Sequence, residues 1–198
     1  MPLNVFVAML TFSVAMAFTP GPNNIMLAAS GMNFGFVRTV PHMVGITAGF
    51  VLLLVGSGLG LGLVFATTPE LQVLLKFAGA LYMLWLAFRV ATAHQAREDG
   101  SGPARPFTFW QAAAFQWINP KGLVAALSAI AIYVRPGHER IDFPVLLAVL
   151  VVCTAGSVMT WAGFGIALRR LLREPRHARL FNGTMALLLV ASIVPMVL

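Results

Sequence analysis

Apolar residues fill six long stretches of this chain, and polar residues cluster between them. A helix needs about 20 consecutive apolar residues to cross a bilayer core of about 30 Å. The six stretches are of about that length, so the pattern predicts an all-α integral membrane protein with six transmembrane helices. The predicted spans are residues 3–30, 42–66, 70–90, 108–134, 143–168 and 180–197.

Composition agrees with this class of protein. Hydrophobic residues make up 59% of the 198 positions and charged residues only 10%, whereas soluble domains have about 25% charged residues. The mean hydropathy is +0.87. The spans leave almost no chain for a soluble catalytic domain, so residues 1–198 are predicted to form a single transmembrane domain.

One long polar segment, residues 94–106, lies at the midpoint of the chain. It separates two halves of about residues 1–93 and 107–198, each with three predicted spans. Because three is odd, the halves enter the membrane in opposite orientations. The pattern therefore predicts two inverted three-helix repeats, an arrangement that many transporters share.

The first span of each half is interrupted near its middle. Pro20 and Pro22 flank Gly21 in a run without a charged residue before Arg38, and Pro120 interrupts the fourth span. A proline inside a helix lacks an N–H and clashes with the preceding turn. Broken backbone within a membrane is tolerated where protein or a water-filled cavity satisfies the freed groups. Paired breaks point to a transport site, and the alternative is two unrelated proline kinks.

Carboxamide side chains accompany both breaks, which favours a binding site. Freed N–H groups of a downstream half-helix suit a carboxylate, and freed upstream carbonyls suit an ammonium. We expect the breaks to face each other across one cavity near the bilayer centre. Lys121 either adds a contact to a carboxylate or extends toward a membrane interface. The candidate substrate-binding residues are Thr19, Pro20, Gly21, Pro22, Asn23, Asn24, Gln116, Asn119, Pro120 and Lys121.

Few titratable side chains fall inside the predicted spans. All six acidic residues lie in loops or near span ends. His42, at the start of the second span, is the candidate for proton coupling, and the alternative is a helix-end histidine at the cytoplasmic interface. The single cysteine, Cys153, excludes an intramolecular disulfide and a thiol-redox relay. The sequence predicts no metal site, no cofactor and no catalytic residue.

The net charge of +7 is distributed in a way that indicates a membrane topology and not nucleic-acid binding. Nine arginines follow spans 1, 3 and 5, whereas the loops on the opposite side have only Arg135 and Arg140. The positive-inside rule places the nine-arginine side in the cytoplasm and both termini outside. The basic stretch 169–179 is also expected to attract anionic lipid.

Several motifs resemble those of the LysE/RhtB family of amino-acid exporters. In the first half they are Thr19-Pro20-Gly21-Pro22-Asn23-Asn24, Gly31-Met32-Asn33-Phe34-Gly35, Arg38, Pro41-His42 and Gly45; in the second half they are Gln116 and Asn119-Pro120-Lys121. Length, span number, motif order and linker position match as well.

This resemblance implies a secondary transporter in the bacterial inner membrane. It would export a small amino acid or amino-acid derivative by alternating access, driven by the proton gradient. The family has lysine, homoserine/threonine, leucine and cysteine-type exporters, and no residue of this chain selects among them. The expected partners are the substrate and membrane lipid, a homodimer is a further candidate assembly, and nucleic acid is not expected.

Two other function classes stay open. An exporter of another small solute or of a metal ion would share this topology, although a metal ion would need acidic, Cys or His ligands within the membrane. An intramembrane enzyme is the second alternative. It would need a serine activated by a histidine inside the membrane or a helical His-Glu-x-x-His motif. The motif is absent, and all four histidines are predicted in loops or at span ends.

Overall fold

The protein is described by a computed structural model that covers residues 1–61, 67–93, 105–171 and 174–194. The all-α prediction is confirmed in these ranges, which contain no β-strand. Their α-helices are α1 Leu3–Phe18, α2 Pro22–Phe34, α3 Phe36–Gly56, α4 Pro69–Thr92, α5 Phe109–Phe115, α6 Pro120–Tyr133, α7 Glu139–Leu171 and α8 Pro175–Ala191. A π-helical turn, Ser57–Leu61, follows α3.

Three helical segments are long and apolar enough to cross a membrane, namely Phe36–Gly60, Val73–Thr92 and Glu139–Arg169. Helices α1 and α2 qualify together as a fourth span that is bent by 51°. The predicted spans 108–134 and 180–197 correspond to shorter helices, of 7 residues in α5, 14 in α6 and 17 in α8. The described part thus has three or four candidate spans, and the six-span inverted repeat stays a prediction.

Parts of four predicted features cannot be compared with the structure. These parts lie outside the described residues and are 62–66 of the second predicted span, 94–104 of the linker, 172–173 of the basic stretch and 195–197 of the sixth span.

The predicted start of the second span is wrong by six residues. Helix α3 begins at Phe36 because Gly35 alone separates it from α2. Gly35 has a φ angle of 80°, in the left-handed region that glycine adopts without a steric penalty. Arg38, expected in a loop, therefore lies in the first turn of α3.

The start of α7 is fixed by an ion pair with the preceding loop. Asp142 is buried, and its carboxylate accepts hydrogen bonds from Arg135 Nε at 2.7 Å and Nη2 at 2.9 Å. These hydrogen bonds raise the pKa of Arg135. Helix α7 has 33 residues and is therefore about 50 Å long, so it extends beyond a hydrocarbon core of about 30 Å.

Helices α2 and α7 pack with their backbones in direct contact. Its residues from Asn24 to Asn33 are all buried. A Cβ atom added at Gly31 would collide with the carbonyl of Ala162, and one added at Gly165 would collide with the carbonyl of Ala28. Glycine at both positions allows this close crossing. The α2–α7 unit thus joins the first half of the chain to the second.

A second close crossing joins α3 to α5. A Cβ atom at Gly49 would lie 2.6 Å from the Cα and carbonyl oxygen of Ala113, and one at Gly45 would collide with the carbonyl of Phe109. Helix α4 also packs against α8, across the two halves. The halves therefore interdigitate and do not form separate lobes.

A buried carboxamide pair joins the end of α2 to α8. Asn33 Nδ2 donates to Asn182 Oδ1 at 2.9 Å, and Asn182 Nδ2 donates to Asn33 Oδ1 at 3.1 Å. Both side chains are buried. The pairing satisfies polar groups that would otherwise be costly in an apolar interior.

Candidate transport site

The first break is a clean end of one helix followed by the start of another. Helix α1 ends at Phe18, and α2 begins with Pro22 at its first position after the extended residue Gly21. The first N–H of a helix has no intrahelical partner, so proline costs nothing there. Pro20 lies between the helices. The prolines therefore begin a new helix here and do not kink a continuous one.

Side chains already bond two of the carbonyls at this break. Asn24 Nδ2 donates to Ala17 O at 2.8 Å and to Thr19 O at 2.9 Å. Ser157 Oγ of α7 donates to Ala17 O at 2.6 Å. The sequence predicted Asn24 as a substrate ligand, but in this structure its amide group holds the helix end.

Two residues of α7 contribute to this break that the sequence did not assign to the site. One is Ser157, and the other is Trp161, whose Nε1 donates to Phe18 O at 3.3 Å. Their spacing in the sequence could have identified them. Ser157 and Trp161 are four residues apart, so a hydroxyl and an indole N–H lie on one face of an otherwise apolar helix.

The second break has the same design as the first. Helix α5 ends at Phe115, and α6 begins with Pro120 after the extended residue Asn119. Neither α2 nor α6 has a side chain that caps its N-terminus. The Oδ1 atom of Asn119 is buried and has no hydrogen-bond partner within the described part of the chain. This break thus offers an unpaired acceptor beside uncapped N–H groups.

Two side-chain bridges connect the breaks directly. Asn23 Nδ2 donates to Gln116 Oε1 at 2.8 Å, and Gln116 Nε2 donates to Asn23 Oδ1 at 3.2 Å. Lys121 Nζ donates to Thr19 O at 2.6 Å and to Thr19 Oγ1 at 2.9 Å. The structure therefore brings the two breaks together, and the Lys121 ammonium reaches the first break and not an interface.

Gly21 leaves the space through which Lys121 crosses. A Cβ atom added at Gly21 would lie 2.8 Å from Lys121 Cδ and 3.2 Å from Nζ. Gly21 has a φ angle of −171°, which any residue adopts. The requirement for glycine here is therefore the path of the lysine side chain and not the backbone conformation.

A cavity of about 70 Å³, here called the central cavity, lies between the breaks. Seven of the ten candidate residues line it, and Thr19, Pro20 and Pro120 do not. No Asp or Glu is among the described residues that line it. A cavity needs at least about 10–15 Å³ of such space to hold one water molecule, so this one is large enough for several. An amino acid fits only if the bridging side chains move.

The electrostatic character of the central cavity is positive. The N-termini of α2 and α6 both border it, and each contributes a partial positive charge of about half an elementary charge. The Lys121 ammonium adds a full charge nearby. The arrangement is suited to a carboxylate.

His42 is not where the sequence placed it. It is the seventh residue of α3, is fully buried and lies with its ring centroid 5.1 Å from that of Phe107. The helix-end interpretation is wrong because α3 begins earlier than predicted. Neither ring nitrogen has a hydrogen-bond partner among the described residues. His42 does not line the central cavity, and its role in proton coupling stays a prediction.

Comparison with known proteins gives a consistent result. The sequence pattern of the LysE type translocator family matches residues 14–193. A cysteine/O-acetylserine efflux protein of Escherichia coli strain K12 is 34% identical over 183 residues, which cover 91% of this chain and 91% of the relative. The proteins of the same name from Shigella flexneri and Shigella sonnei match to the same extent. No solved structure matches the chain.

These relatives are efflux proteins and not enzymes. Their names agree with the apolar spans, the paired helix breaks and the central cavity of this chain. The family pattern extends over both breaks and nearly the whole sequence, and this chain therefore belongs to the LysE type translocator family.

Proposed function

We propose that this protein exports a small amino acid or amino-acid derivative from the bacterial cytoplasm across the inner membrane. The observation that carries the proposal is the central cavity, where two uncapped helix N-termini and Lys121 meet without a carboxylate. Energy would come from the proton gradient, and the arginine-rich side of the protein would face the cytoplasm with both termini outside.

The substrate carboxylate would bind at the N-termini of α2 and α6. Backbone N–H groups at such ends bind anions without any rearrangement. Asn119 and Lys121 would supply further contacts, because the first lines the cavity and the second bridges it. A charge-assisted hydrogen bond contributes about 1.5–3 kcal/mol, so each contact matters for affinity.

The substrate ammonium would take the position that Lys121 Nζ occupies on Thr19. In the structure this lysine ammonium donates to the carbonyl oxygen at 2.6 Å, as a substrate ammonium would. Substrate binding would therefore exchange one ammonium for another and direct Lys121 to the carboxylate. The bridge between the breaks would open at the same step.

None of the described residues that line the central cavity has a carboxylate, which bears on the substrate class. A lysine-type side chain would bring a second ammonium into the site with no acidic partner, at a high desolvation cost. A neutral side chain avoids this cost. Cysteine and O-acetylserine, the substrates in the names of the relatives, are therefore the first candidates.

Counterflow of labelled amino acids in proteoliposomes tests the proposal. We expect labelled cysteine or O-acetylserine to enter proteoliposomes that contain the same compound in unlabelled form. Labelled lysine should enter lysine-loaded proteoliposomes only slowly. Asn119→Ala should reduce the rate at least about tenfold, since loss of a buried hydrogen-bonding group costs about 1–3 kcal/mol.

The matched control is Asn4→Ala, which removes an exposed carboxamide near the start of α1 and should leave the rate unchanged. If the wild-type protein moves none of the amino acids tested, the proposed function is wrong. If Asn119→Ala transports normally at equal membrane abundance, Asn119 does not belong to the site.

A further inference from the structure

A second and larger cavity lies on the arginine-rich side of the protein. Its volume is about 260 Å³, and it is formed by α2, the end of α4 and residues 105–107. Helix α2 contributes Met26, Ala29, Ser30 and Asn33, whose spacing places them on one helical face. We refer to it as the arginine cavity, because Arg89 and Arg105 line it.

Among the described residues, no carboxylate neutralises the positive charges of this cavity. Arg89 has its guanidinium carbon 5.2 Å from the ring centroid of Trp85, and its Nη2 donates to the backbone oxygen of Arg105 at 3.0 Å. Neither arginine forms an ion pair with a carboxylate in the described ranges. Stacking on Trp85 holds the Arg89 guanidinium in place, with its remaining N–H groups available to an anion.

The arginine cavity and the central cavity are consecutive along α2. The first turn of α2, at Asn23 and Asn24, lines the central cavity, and the arginine cavity begins at Met26. Two or three residues of helix correspond to about 3–5 Å. Phe107 lines the arginine cavity and contacts His42, and Ile46, one turn after His42, lines the central cavity.

We propose, on the basis of the proposed export function, that the arginine cavity is the cytoplasmic loading site, where Arg89 and Arg105 bind the carboxylate of the amino acid before it reaches the central cavity. The guanidinium group matches a carboxylate with two parallel N–H donors. Unpaired positive charge in a concave site raises the local concentration of anions. The free volume of about 260 Å³ is larger than that of the central cavity, about 70 Å³, so a solute can enter it before the bridges between the breaks open.

A charge-selective labelling experiment tests the site without relying on transport. Thr92 lines the arginine cavity, and Thr92→Cys with Cys153→Ala gives one thiol. The anionic reagent 2-sulfonatoethyl methanethiosulfonate is compared with the cationic 2-(trimethylammonio)ethyl methanethiosulfonate. We expect the anionic-to-cationic rate ratio to fall at least about fivefold in Arg89→Gln with Arg105→Gln. The ratio cancels any change in the reactivity of the thiol itself.

Arg89→Lys is the control for altered packing. It changes the side chain but keeps the positive charge, so the anionic-to-cationic rate ratio should stay close to the wild-type value. Arg140→Gln, an exposed arginine at the start of α7, is the control for net charge and should leave the ratio unchanged. An equal ratio in the wild type and the double variant would overturn the proposal.

Protection experiments show whether the arginine cavity binds the amino acid or an anionic lipid headgroup. In vesicles of zwitterionic phosphatidylcholine, millimolar cysteine or O-acetylserine should slow labelling in the wild type and have no effect in the double variant. Slower labelling only in vesicles that contain phosphatidylglycerol would assign the cavity to lipid and overturn the proposal.

Counterflow then distinguishes failure of this inference from failure of the export function. We expect the Arg89→Gln, Arg105→Gln variant to need about three- to tenfold more substrate for half-maximal transport from the arginine-rich side, with the half-saturating concentration from the other side unchanged. Wild-type transport with no such change in the variant would overturn the loading site alone. No counterflow by the wild type would overturn the export function itself.

Discussion

The path of Lys121 past Gly21 makes a sharp prediction for Gly21→Ala. The added Cβ would lie 2.8 Å from Lys121 Cδ and 3.2 Å from Nζ, closer than van der Waals contact allows. The backbone at Gly21 is extended, with φ −171° and ψ 175°, so alanine introduces no backbone strain. The flexible end of the lysine side chain should therefore move while the fold persists.

The expected size of the effect follows from the contacts that move. Lys121 Nζ would leave Thr19 O and Thr19 Oγ1, now at 2.6 and 2.9 Å, and with them its position beside the cavity. A hydrogen bond to a charged group contributes about 1.5–3 kcal/mol, and about 1.4 kcal/mol is tenfold in affinity. Losing the contact of Lys121 with the substrate carboxylate should raise the half-saturating substrate concentration about ten- to hundredfold.

Counterflow in proteoliposomes measures this concentration, and two comparisons make the result specific. Gly163→Ala is the matched control, since a Cβ there meets no atom within 4 Å, and it should behave as the wild type. In a Lys121→Ala background, Gly21→Ala should have no additional effect. If Gly21→Ala is as harmful without the lysine as with it, or harmless in both backgrounds, the reasoning about the lysine path is refuted.

Three further predictions concern the fold and the topology. Gly165→Ala places a Cβ against the carbonyl of Ala28 and should destabilise the protein by about 1–3 kcal/mol. Thermal unfolding in detergent measures this loss, and an unchanged melting temperature would show that the α2–α7 crossing can relax. Arg135→Gln leaves the buried Asp142 carboxylate without its main partner and should lower the melting temperature in the same assay. Arg135→Met with Asp142→Leu should recover much of that loss, and equal loss in both variants would contradict the ion-pair explanation. In a Cys153→Ala background, cysteines at the exposed positions His138 and Arg176 should react with an impermeant thiol reagent from opposite sides of the membrane, and reaction of both from one side would exclude the topology inferred from the arginines.

The location of the two breaks was predictable, and their local geometry was not. Proline and carboxamide residues inside charge-free or apolar stretches are local signals, so Pro22 and Pro120 could be found from the sequence. Their placement at the first position of a new helix depends on where the preceding helix ends. Sequence alone does not fix that end, because a proline is compatible both with a kinked helix and with a helix start.

Contacts between distant residues could not be derived. The Asn23–Gln116 bridge joins residues 93 positions apart, and the Asn33–Asn182 pair joins residues 149 apart. Each depends on how two helices are rotated and shifted against each other, which apolar spans specify only loosely. His42 was misplaced for a simpler reason. A single glycine, Gly35, makes the whole turn between α2 and α3, whereas a loop of several residues was expected.

The burial of α2 on all sides has a consequence for how this protein is made. Synthesis of α2 ends at Phe34, and its main partner α7 begins only at Glu139. At about 5–20 residues per second, that interval lasts roughly 5–20 s. During this time Asn33 has no Asn182 to pair with, and the groove at Gly31 is not yet filled by α7. The first half therefore reaches its final packing only after α7 and α8 have been synthesised.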